Sequence, residues 1–392
     1  MKISFFLSML VIQGVAHAQQ ATRVWTDDTG RKTKAELVDV KESMALLLMP
    51  DGREIPYPIE KLSKIDQAFI EKFLSDTEQP ETSEAIDNFS GPWPDRVSFK
   101  DDAEIEIIKE DPEAEEFIYE SANYRYNCNV RLSKSVVKGF AVMFEATHQF
   151  ARELPLSING GKKTEGKYQI LLVETEEQYL KAGGIPGSAG VFFGGKNLVL
   201  VPLTSLGVQK VGSGYMLDRD KSSKTLPHEL AHQLTPNRYF QFGARGWFSE
   251  GLAEYIAVTP YRSGSYNVRT NFRPILEYVT AYGEDGKGGK ALGEEIKLGS
   301  LEEFMLMPYE NFLDNGHLNY GSALLLTNYF FHMDREEDGA RIKNFLIALN
   351  AGKKGKDALQ VLLDGQTFLE LEEEIATAYS RKGVDFIFSE EK

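Results

Sequence analysis

The residue types best able to do chemistry lie together in segment 225–236, which reads Thr-Leu-Pro-His-Glu-Leu-Ala-His-Gln-Leu-Thr-Pro. His228 and His232 are four positions apart, so on a helix both imidazoles project from one face and suit two ligands of one divalent ion. Glu229 follows the first histidine, and its carboxylate can reach the open side of that ion, where zinc lowers the pKa of a bound water. This spacing predicts a zinc site with a carboxylate that takes a proton from water.

A second segment supplies the third ligand that such a site needs. Pro227 fits the first turn of a helix and Pro236 marks its end, which places both histidines on one helix. Glu250 follows 18 positions after His232, on a second predicted helix that begins near Trp247. The histidine motif also arises by chance, so the prediction depends on Glu250 converging with both histidines.

The two helices together resemble a known family. His228-Glu-Leu-Ala-His232 followed by Glu250-Gly-Leu-Ala-Glu254 is similar to the gluzincin metallopeptidases, and closest to a group of exported bacterial proteins with peptidase-like domains. The resemblance covers only these segments. It implies that Glu250 is the third zinc ligand and that Glu254 hydrogen-bonds a ligand histidine. A solvated carboxylate on the helix face is the alternative for Glu254.

Segment Asn319-Tyr-Gly-Ser-Ala-Leu-Leu-Leu-Thr-Asn-Tyr329 resembles another gluzincin element. The resemblance implies that Tyr320 donates its hydroxyl to the oxyanion of the tetrahedral intermediate. A core or helix-capping tyrosine is the alternative. Gluzincins also pair substrate with an edge strand, for which residues 191–193 and 198–201 are the candidates. These residues can equally form a plain structural hairpin.

The other reactive side chains are interpreted more plainly. His317 is close enough in sequence to the candidate tyrosine to reach the cleft, whereas His148 and His332 are interpreted as structural. Segment 260–299 contains arginines that could receive a substrate carboxylate, although a solvated loop is the preferred interpretation. Cys128 is the only cysteine, so no intrachain disulfide can form, and we expect a small buried side chain.

Residues 1–18 are predicted to be a signal peptide. Lys2 supplies the positive charge, residues 3–15 the apolar stretch, and residues 16–18 the Ala-His-Ala cleavage site. We therefore expect a secreted or periplasmic protein, with a buried N-terminal helix as the alternative. The net charge of −15 and the pI of about 5.1 argue against a nucleic-acid partner. No other segment is apolar enough to predict a membrane span.

Residues 19–75 are predicted to form a separate unit. Short strands, tight turns and a closing helix in so small a segment indicate a small barrel. The run Arg23-Val-Trp-Thr-Asp27, the central segment 44–52 and the ending 58–67 resemble the SHD-type SH3-like module. That resemblance implies a binding or spacing role, with a protein partner and no chemistry of its own.

The rest of the chain divides into a linker and one larger domain. Residues 76–95 are rich in Ser, Thr, Glu, Asp and Pro, which is typical of a linker. Residues 96–392 are predicted to be α+β, with a sheet-bearing lobe and then a helical lobe, as the gluzincin or thermolysin-like fold has. Helices are expected near 133–153, 225–235, 247–258, 272–282, 300–307, 320–333, 339–350, 355–363 and 368–382.

These features together predict a zinc metallopeptidase that acts on a peptide or protein. Glu229 would act as general base on a metal-activated water, and Tyr320 would stabilise the oxyanion. Two alternatives stay open. One is a catalytically silent gluzincin-like scaffold whose SH3-like module recruits a partner. The other is a metal-dependent hydrolase of some other amide.

Overall fold

The structure is a computed structural model that describes most of the chain. The predicted signal peptide at 1–18 and the first part of the predicted linker, 76–86, lie outside the described residues. No described helix is both long enough and apolar enough to span a bilayer. The described residues are 23–41, 44–50, 53–70, 87–99, 103–158, 160–218, 226–281, 289–336 and 338–389.

The N-terminal module is an antiparallel sheet followed by a short helix. Its strands are β1 (Arg23–Thr26), β2 (Lys32–Lys41), β3 (Met44–Leu48) and β4 (Glu54–Pro58). Helix α1 covers residues 64–70, and Ser63 caps it by accepting a hydrogen bond from the N–H of Asp66 over 3.2 Å. Trp25 is buried against the ring of Phe69, with the ring centroids 5.6 Å apart. This contact joins the helix to the sheet.

The sheet of this module is open, so the predicted small barrel is wrong for the described residues. The strands follow the order β1-β2-β3-β4. After β4 the chain turns into a 3-10 helix at Ile59–Lys61, and its end meets the first strand through an isolated bridge between Asp27 and Leu62. An isolated bridge does not complete the staggered ring of strands that a barrel requires.

A mixed six-stranded sheet forms the first part of the larger domain. The early strands are β5 (Arg96–Ser98), β6 (Glu106–Asp111), β7 (Glu116–Glu120), β8 (Tyr124–Cys128), β9 (Tyr168–Val173), β10 (Val191–Phe193) and β11 (Leu198–Pro202). Six of them follow the order β10-β11-β9-β8-β7-β6, so β10 is an edge strand. The predicted hairpin is confirmed, because Phe192 pairs antiparallel with Val199.

Helix α2 (Lys134–Glu153) lies on this sheet through an aromatic stripe. Ser133 caps its first turn, and its side chain accepts a hydrogen bond from the N–H of Val136. The ring of Phe144 meets the rings of Tyr124 and Tyr126 edge to face, at centroid distances of 5.4 and 5.2 Å. These contacts fix one wall of the core on which the later helices rest.

The second part of the larger domain is mainly helical. All the helices predicted there are confirmed. The helix Tyr309–Asp314, the hairpin of Val208–Val211 with Gly214–Leu217, the pairing of Ser265–Asn267 with β5 and with Tyr261–Arg262, and the pairing of Glu295–Leu298 with Asp385–Phe388 were not predicted. In chain order the remaining elements are α3 (Glu176–Lys181), β12 (Val208–Val211), β13 (Gly214–Leu217), α4 (Leu226–Leu234), α5 (Trp247–Val258), β14 (Tyr261–Arg262), β15 (Ser265–Asn267), α6 (Phe272–Thr280), β16 (Glu295–Leu298), α7 (Leu301–Met305), α8 (Tyr309–Asp314), α9 (Gly316–His332), α10 (Ala340–Asn350), α11 (Gly355–Leu363), α12 (Phe368–Ser380) and β17 (Asp385–Phe388).

Helices α5 and α9 approach closely because Gly251 has no side chain. A Cβ at this position would lie 2.8 Å from the carbonyl carbon of Ala323 and closer still to Thr327 Oγ1. Gly251 directly follows Glu250, so the same close approach brings the N-terminal half of α9, with Tyr320, toward that carboxylate.

The end of the predicted linker, residues 87–95, lies against the larger domain. The side-chain amide of Asn88 donates to the carbonyl oxygen of Leu154 over 2.7 Å. The ring of Trp93 packs on Phe331, with centroids 4.7 Å apart. These contacts tie this part of the linker to the body of the domain.

Candidate metal centre

Three side chains converge between α4 and α5. His228 and His232 project from one face of α4, and Glu250 projects from the first turn of α5. The two Nε2 atoms are 3.1 Å apart, and each lies 3.2 Å from Glu250 Oε2. The structure therefore contains the convergence on which the sequence prediction depends.

Burial of both helices holds these three groups in place. The opposite face of α4 is apolar and inaccessible, with Leu230 and Leu234 fully buried. Helix α5 is apolar on almost every side, and it begins directly after Gly246, whose φ of 86° suits glycine. A Cβ on Gly246 would lie 3.0 Å from the ring of Phe312, so the start of α5 is tightly enclosed.

The geometry fits a tetrahedral divalent ion. Tetrahedral ligands about 2.0 to 2.2 Å from zinc lie roughly 3.3 to 3.6 Å from one another, slightly farther apart than His228, His232 and Glu250 are here. Glu250 Oε2 is buried, and no donor among the described residues reaches it with hydrogen-bonding geometry. A buried carboxylate oxygen in this position is costly unless a cation lies between it and the imidazoles. Two histidines and one carboxylate are one of the donor sets that catalytic zinc sites use.

The surrounding charges also favour a cation. Burial lowers the pKa of His228, but the adjacent carboxylate of Glu250 and the charges of Glu254 and Glu229 outweigh it and raise this pKa to about 9. Burial would raise the pKa of Glu250, yet His232 and His228 hold it well below its usual range. A site that binds a proton this strongly attracts a dication too, because proton and metal compete for the same lone pairs.

Glu229 lies beside the ligands and is held by the edge strand of the large sheet. Its Oε2 accepts a hydrogen bond from the backbone N–H of Phe192 over 2.9 Å. Phe192 is the central residue of β10, so the candidate general base is fixed by the strand that borders the site. This contact was not predicted, because the histidine motif gives no information about which distant residue contacts Glu229.

Tyr320 stands near the ligands, but its hydroxyl contacts a tyrosine that the sequence did not single out. The rings of Tyr320 and His228 have centroids 6.1 Å apart. Tyr309, on α8, hydrogen-bonds the side chain of Tyr320 and donates its own hydroxyl to Glu250 Oε1 over 2.7 Å. Burial is the main reason that the pKa values of both phenols lie above their usual range, so both stay protonated at neutral pH.

Glu254 lies behind the first histidine and is paired with a lysine. Its Oε1 is 4.0 Å from His228 Nδ1, which is beyond hydrogen-bonding distance, and accepts from Lys290 Nζ over 2.8 Å. Tyr278 hydrogen-bonds the same carboxylate. The structure thus places Glu254 next to His228, while the direct hydrogen bond to it stays a prediction.

The other side chains considered in the sequence analysis do not contact His228, His232 or Glu250 through any of the contacts described here. In the described part of segment 260–299, Lys290 and Tyr278 both contact Glu254. His317 Nδ1 lies 3.1 Å from the carbonyl oxygen of Lys290. Burial lowers the pKa of His148 to about 3 and that of His332 to about 4, which agrees with their interpretation as structural side chains.

Cys128 is buried in β8, as the sequence predicts. Burial raises the pKa of its thiol to about 11, so the thiol is protonated at neutral pH. A buried, protonated thiol is a poor nucleophile, and the side chain contributes packing to the sheet.

Comparison with known proteins identifies one part of the chain. Residues 16–78 match the family of SLA1 homology domain 1, SHD1. No curated protein matches the chain. The match confirms a small module of the SH3-like type at the N-terminus and suggests protein interaction. It ends well before the metal centre, so the gluzincin resemblance of residues 228–254 stays a prediction.

Proposed function

We propose that the chain is a zinc-dependent hydrolase of peptide bonds. The observation that carries this proposal is the convergence of His228, His232 and Glu250 to within 3.2 Å of one another, with Glu229 alongside. Three protein ligands leave a fourth tetrahedral position for a substrate or water, whereas structural zinc sites use four protein ligands. This ligand set therefore favours catalysis over a purely structural role.

Glu229 is the group that moves the proton. Zinc held by the three ligands supplies Lewis acidity to a water and to the scissile carbonyl. Glu229 takes the proton of the attacking water and delivers it to the leaving amine. The N–H of Phe192 engages Oε2 of this carboxylate and leaves Oε1 for the proton.

Tyr320 stabilises the charge that develops on the carbonyl oxygen. Its raised pKa keeps the hydroxyl protonated, so it can donate a hydrogen bond at neutral pH. Donation to an oxyanion is stronger than donation to a neutral acceptor, so the benefit is largest in the transition state. Tyr320 exchanges its contact with Tyr309 for this one when substrate binds.

The edge strand favours an extended peptide as substrate. Strand β10 borders the sheet and reaches Glu229 through Phe192. A peptide that adds to this edge as a further strand places its backbone carbonyls beside Glu229. A small amide without an extended backbone lacks these contacts, which is why we favour peptide bonds over other amides.

The SHD1 match favours a second candidate function for the same chain. In that alternative the metal domain is a silent scaffold and the N-terminal module recruits a protein partner. A silent scaffold has no need of Glu229 held in place beside three converging ligands. We also propose that residues 1–18 direct export, so that the enzyme acts in the periplasm or outside the cell.

The test combines metal content with turnover. Purified chain is reconstituted with zinc, the zinc-to-chain ratio is measured by atomic emission, and cleavage of a mixed peptide library is followed by mass spectrometry. We expect one zinc per chain and cleavage that stops when a chelator removes the metal. Stoichiometric zinc with no cleavage across the library would support the scaffold instead.

A further inference from the structure

The N-terminal module touches the larger domain next to the metal centre. Glu36, on β2, forms an ion pair with Arg245, which directly precedes the start of α5. Both side chains are buried, with 6% and 7% of their surfaces exposed. A buried charge that loses its partner is strongly destabilising, so this pair fixes the module against the larger domain.

Glu36 also contacts the backbone of α8. The N–H of Tyr309 donates to its carboxylate, and this bond and Arg245 together oppose the rise that burial causes in the pKa of Glu36. The guanidinium of Arg245 lies 4.5 Å from the ring centroid of Tyr309. One carboxylate of the module therefore holds both the backbone of Tyr309 and the cation that lies over its ring.

Tyr309 links Glu36 and Arg245 to the proposed metal ligand Glu250. Its hydroxyl donates to Glu250 Oε1 over 2.7 Å, while Glu250 Oε2 faces the two histidines. Because one oxygen is held by the phenol, the other is presented to the ligand cluster in a fixed orientation. Hydrogen bonds from outside the ligand set commonly control metal affinity in this way.

Two further contacts join the same surfaces. Lys34 forms an ion pair with Glu310, and the side-chain amide of Asn311 donates to the carbonyl oxygen of Pro50 over 2.8 Å. Both involve the exposed side of α8. The Asn311 hydrogen bond supplies a matched control, because it belongs to the same interface and involves no charged group, whereas the charge of Glu310 raises the pKa of Glu36.

We propose that Glu36 of the N-terminal module is a positioning residue of the metal centre, acting through Arg245 and Tyr309 on the ligand Glu250. The module is then part of the metal site and not a separately tethered unit. This inference rests on the proposed function, since it needs Glu250 to bind zinc. It predicts that the module sets zinc affinity from outside the ligand cluster.

The test is a double-variant cycle in the full chain, read as the dissociation constant for zinc in competition with a chelating dye. We expect Glu36→Gln and Tyr309→Phe each to weaken zinc binding by about 10- to 100-fold. The zinc dissociation constant of the double variant should exceed that of the more affected single variant by about threefold at most. The two changes interrupt the same chain of contacts, so their effects should not add. Asn311→Ala, which removes the hydrogen bond to Pro50, should bind zinc like the unaltered chain.

A second measurement separates positioning from a general loss of stability. Thermal unfolding of the zinc-free variants reports stability, and zinc affinity is measured well below each unfolding midpoint. If Glu36→Gln lowers the midpoint yet binds zinc as tightly as Asn311→Ala, the inference is overturned and the proposed function stands. If the unaltered chain binds no zinc, the proposed function fails and the inference with it. Should Glu36→Gln not fold, Glu36→Asp replaces it, with a smaller loss of affinity in the same direction.

Discussion

The backbone N–H of Phe192 donates a hydrogen bond to Glu229 Oε2, so the edge strand of the large sheet and the helix that carries His228 and His232 meet at the candidate general base. Glutamine at position 229 can keep this hydrogen bond through its amide oxygen. It cannot accept a proton from water. The contact thus allows the chemistry to be removed while the geometry is kept.

For Glu229→Gln we expect hydrolysis to fall by about 10²- to 10⁴-fold, the usual contribution of a general base. Zinc content should stay at one per chain, because Glu229 is not among the three converging ligands. Initial rates on the best library peptide and the zinc-to-chain ratio check both statements. Glu277→Gln, which alters an exposed carboxylate on α6, should keep full activity. Full activity in Glu229→Gln would rule out the mechanism.

For Tyr320→Phe we expect kcat/KM to fall by about 10²- to 10³-fold, as when an oxyanion donor is removed. Zinc content should be unchanged, because the Tyr309 hydroxyl still donates to Glu250. Tyr261→Phe, on a half-exposed residue of β14, is the matched control. Equal rates for the two variants would show that Tyr320 serves packing alone.

The sequence predicted the ligand cluster because that cluster depends on local periodicity. A spacing of four on one helix places His228 and His232 together, and an apolar second helix carries Glu250 to them. The same reasoning located the helices of the second part of the domain and the hairpin of β10. In each case the residue pattern that supports the prediction lies within a single helix or hairpin.

The sequence could not predict the groups that surround the ligands, because these are brought together by tertiary docking. Tyr309 is on a six-residue helix with too few positions to show periodicity, and it is one of seventeen tyrosines. Arg245 and Glu36 are 209 positions apart and belong to different units. A charged residue among apolar neighbours, such as Arg245, indicates a buried ion pair, but the sequence does not show which acidic residue is its partner.

For Gly251→Ala we expect a loss of about 1 to 3 kcal/mol in the free energy of unfolding. An added Cβ would overlap Thr327 Oγ1 and the backbone of Ala323, which forces α5 and α9 apart. Gly316→Ala is the control, because a Cβ there meets only the ring of Tyr320 at 3.9 Å and alanine favours the helix. Urea unfolding of the zinc-free proteins measures both. A Gly251→Ala protein as stable as the Gly316→Ala protein would contradict the close approach.

For His148 we expect an acid-sensitive contribution to stability. Burial, with the charges of Lys163 and Arg152, lowers its pKa from 6.5 to about 3 in the folded chain. Between pH 3 and 6.5 the unfolded chain therefore binds the proton more tightly, so the free energy of unfolding falls as the pH is lowered through this range. Above about pH 6.5 the histidine is neutral in both states and has no such effect.

The variant His148→Phe isolates this contribution, because it keeps an aromatic ring against Tyr124 and Tyr168 but cannot titrate. Between pH 7 and pH 5, the unaltered chain should lose roughly 2 kcal/mol more of its unfolding free energy than the variant, at about 1.4 kcal/mol per pH unit. Urea unfolding in the presence of a chelator at both pH values gives the comparison. The chelator removes any contribution of metal release, so the difference reports on the imidazole. Parallel losses in the two proteins would mean that His148 accepts its proton in the folded chain as readily as in the unfolded one.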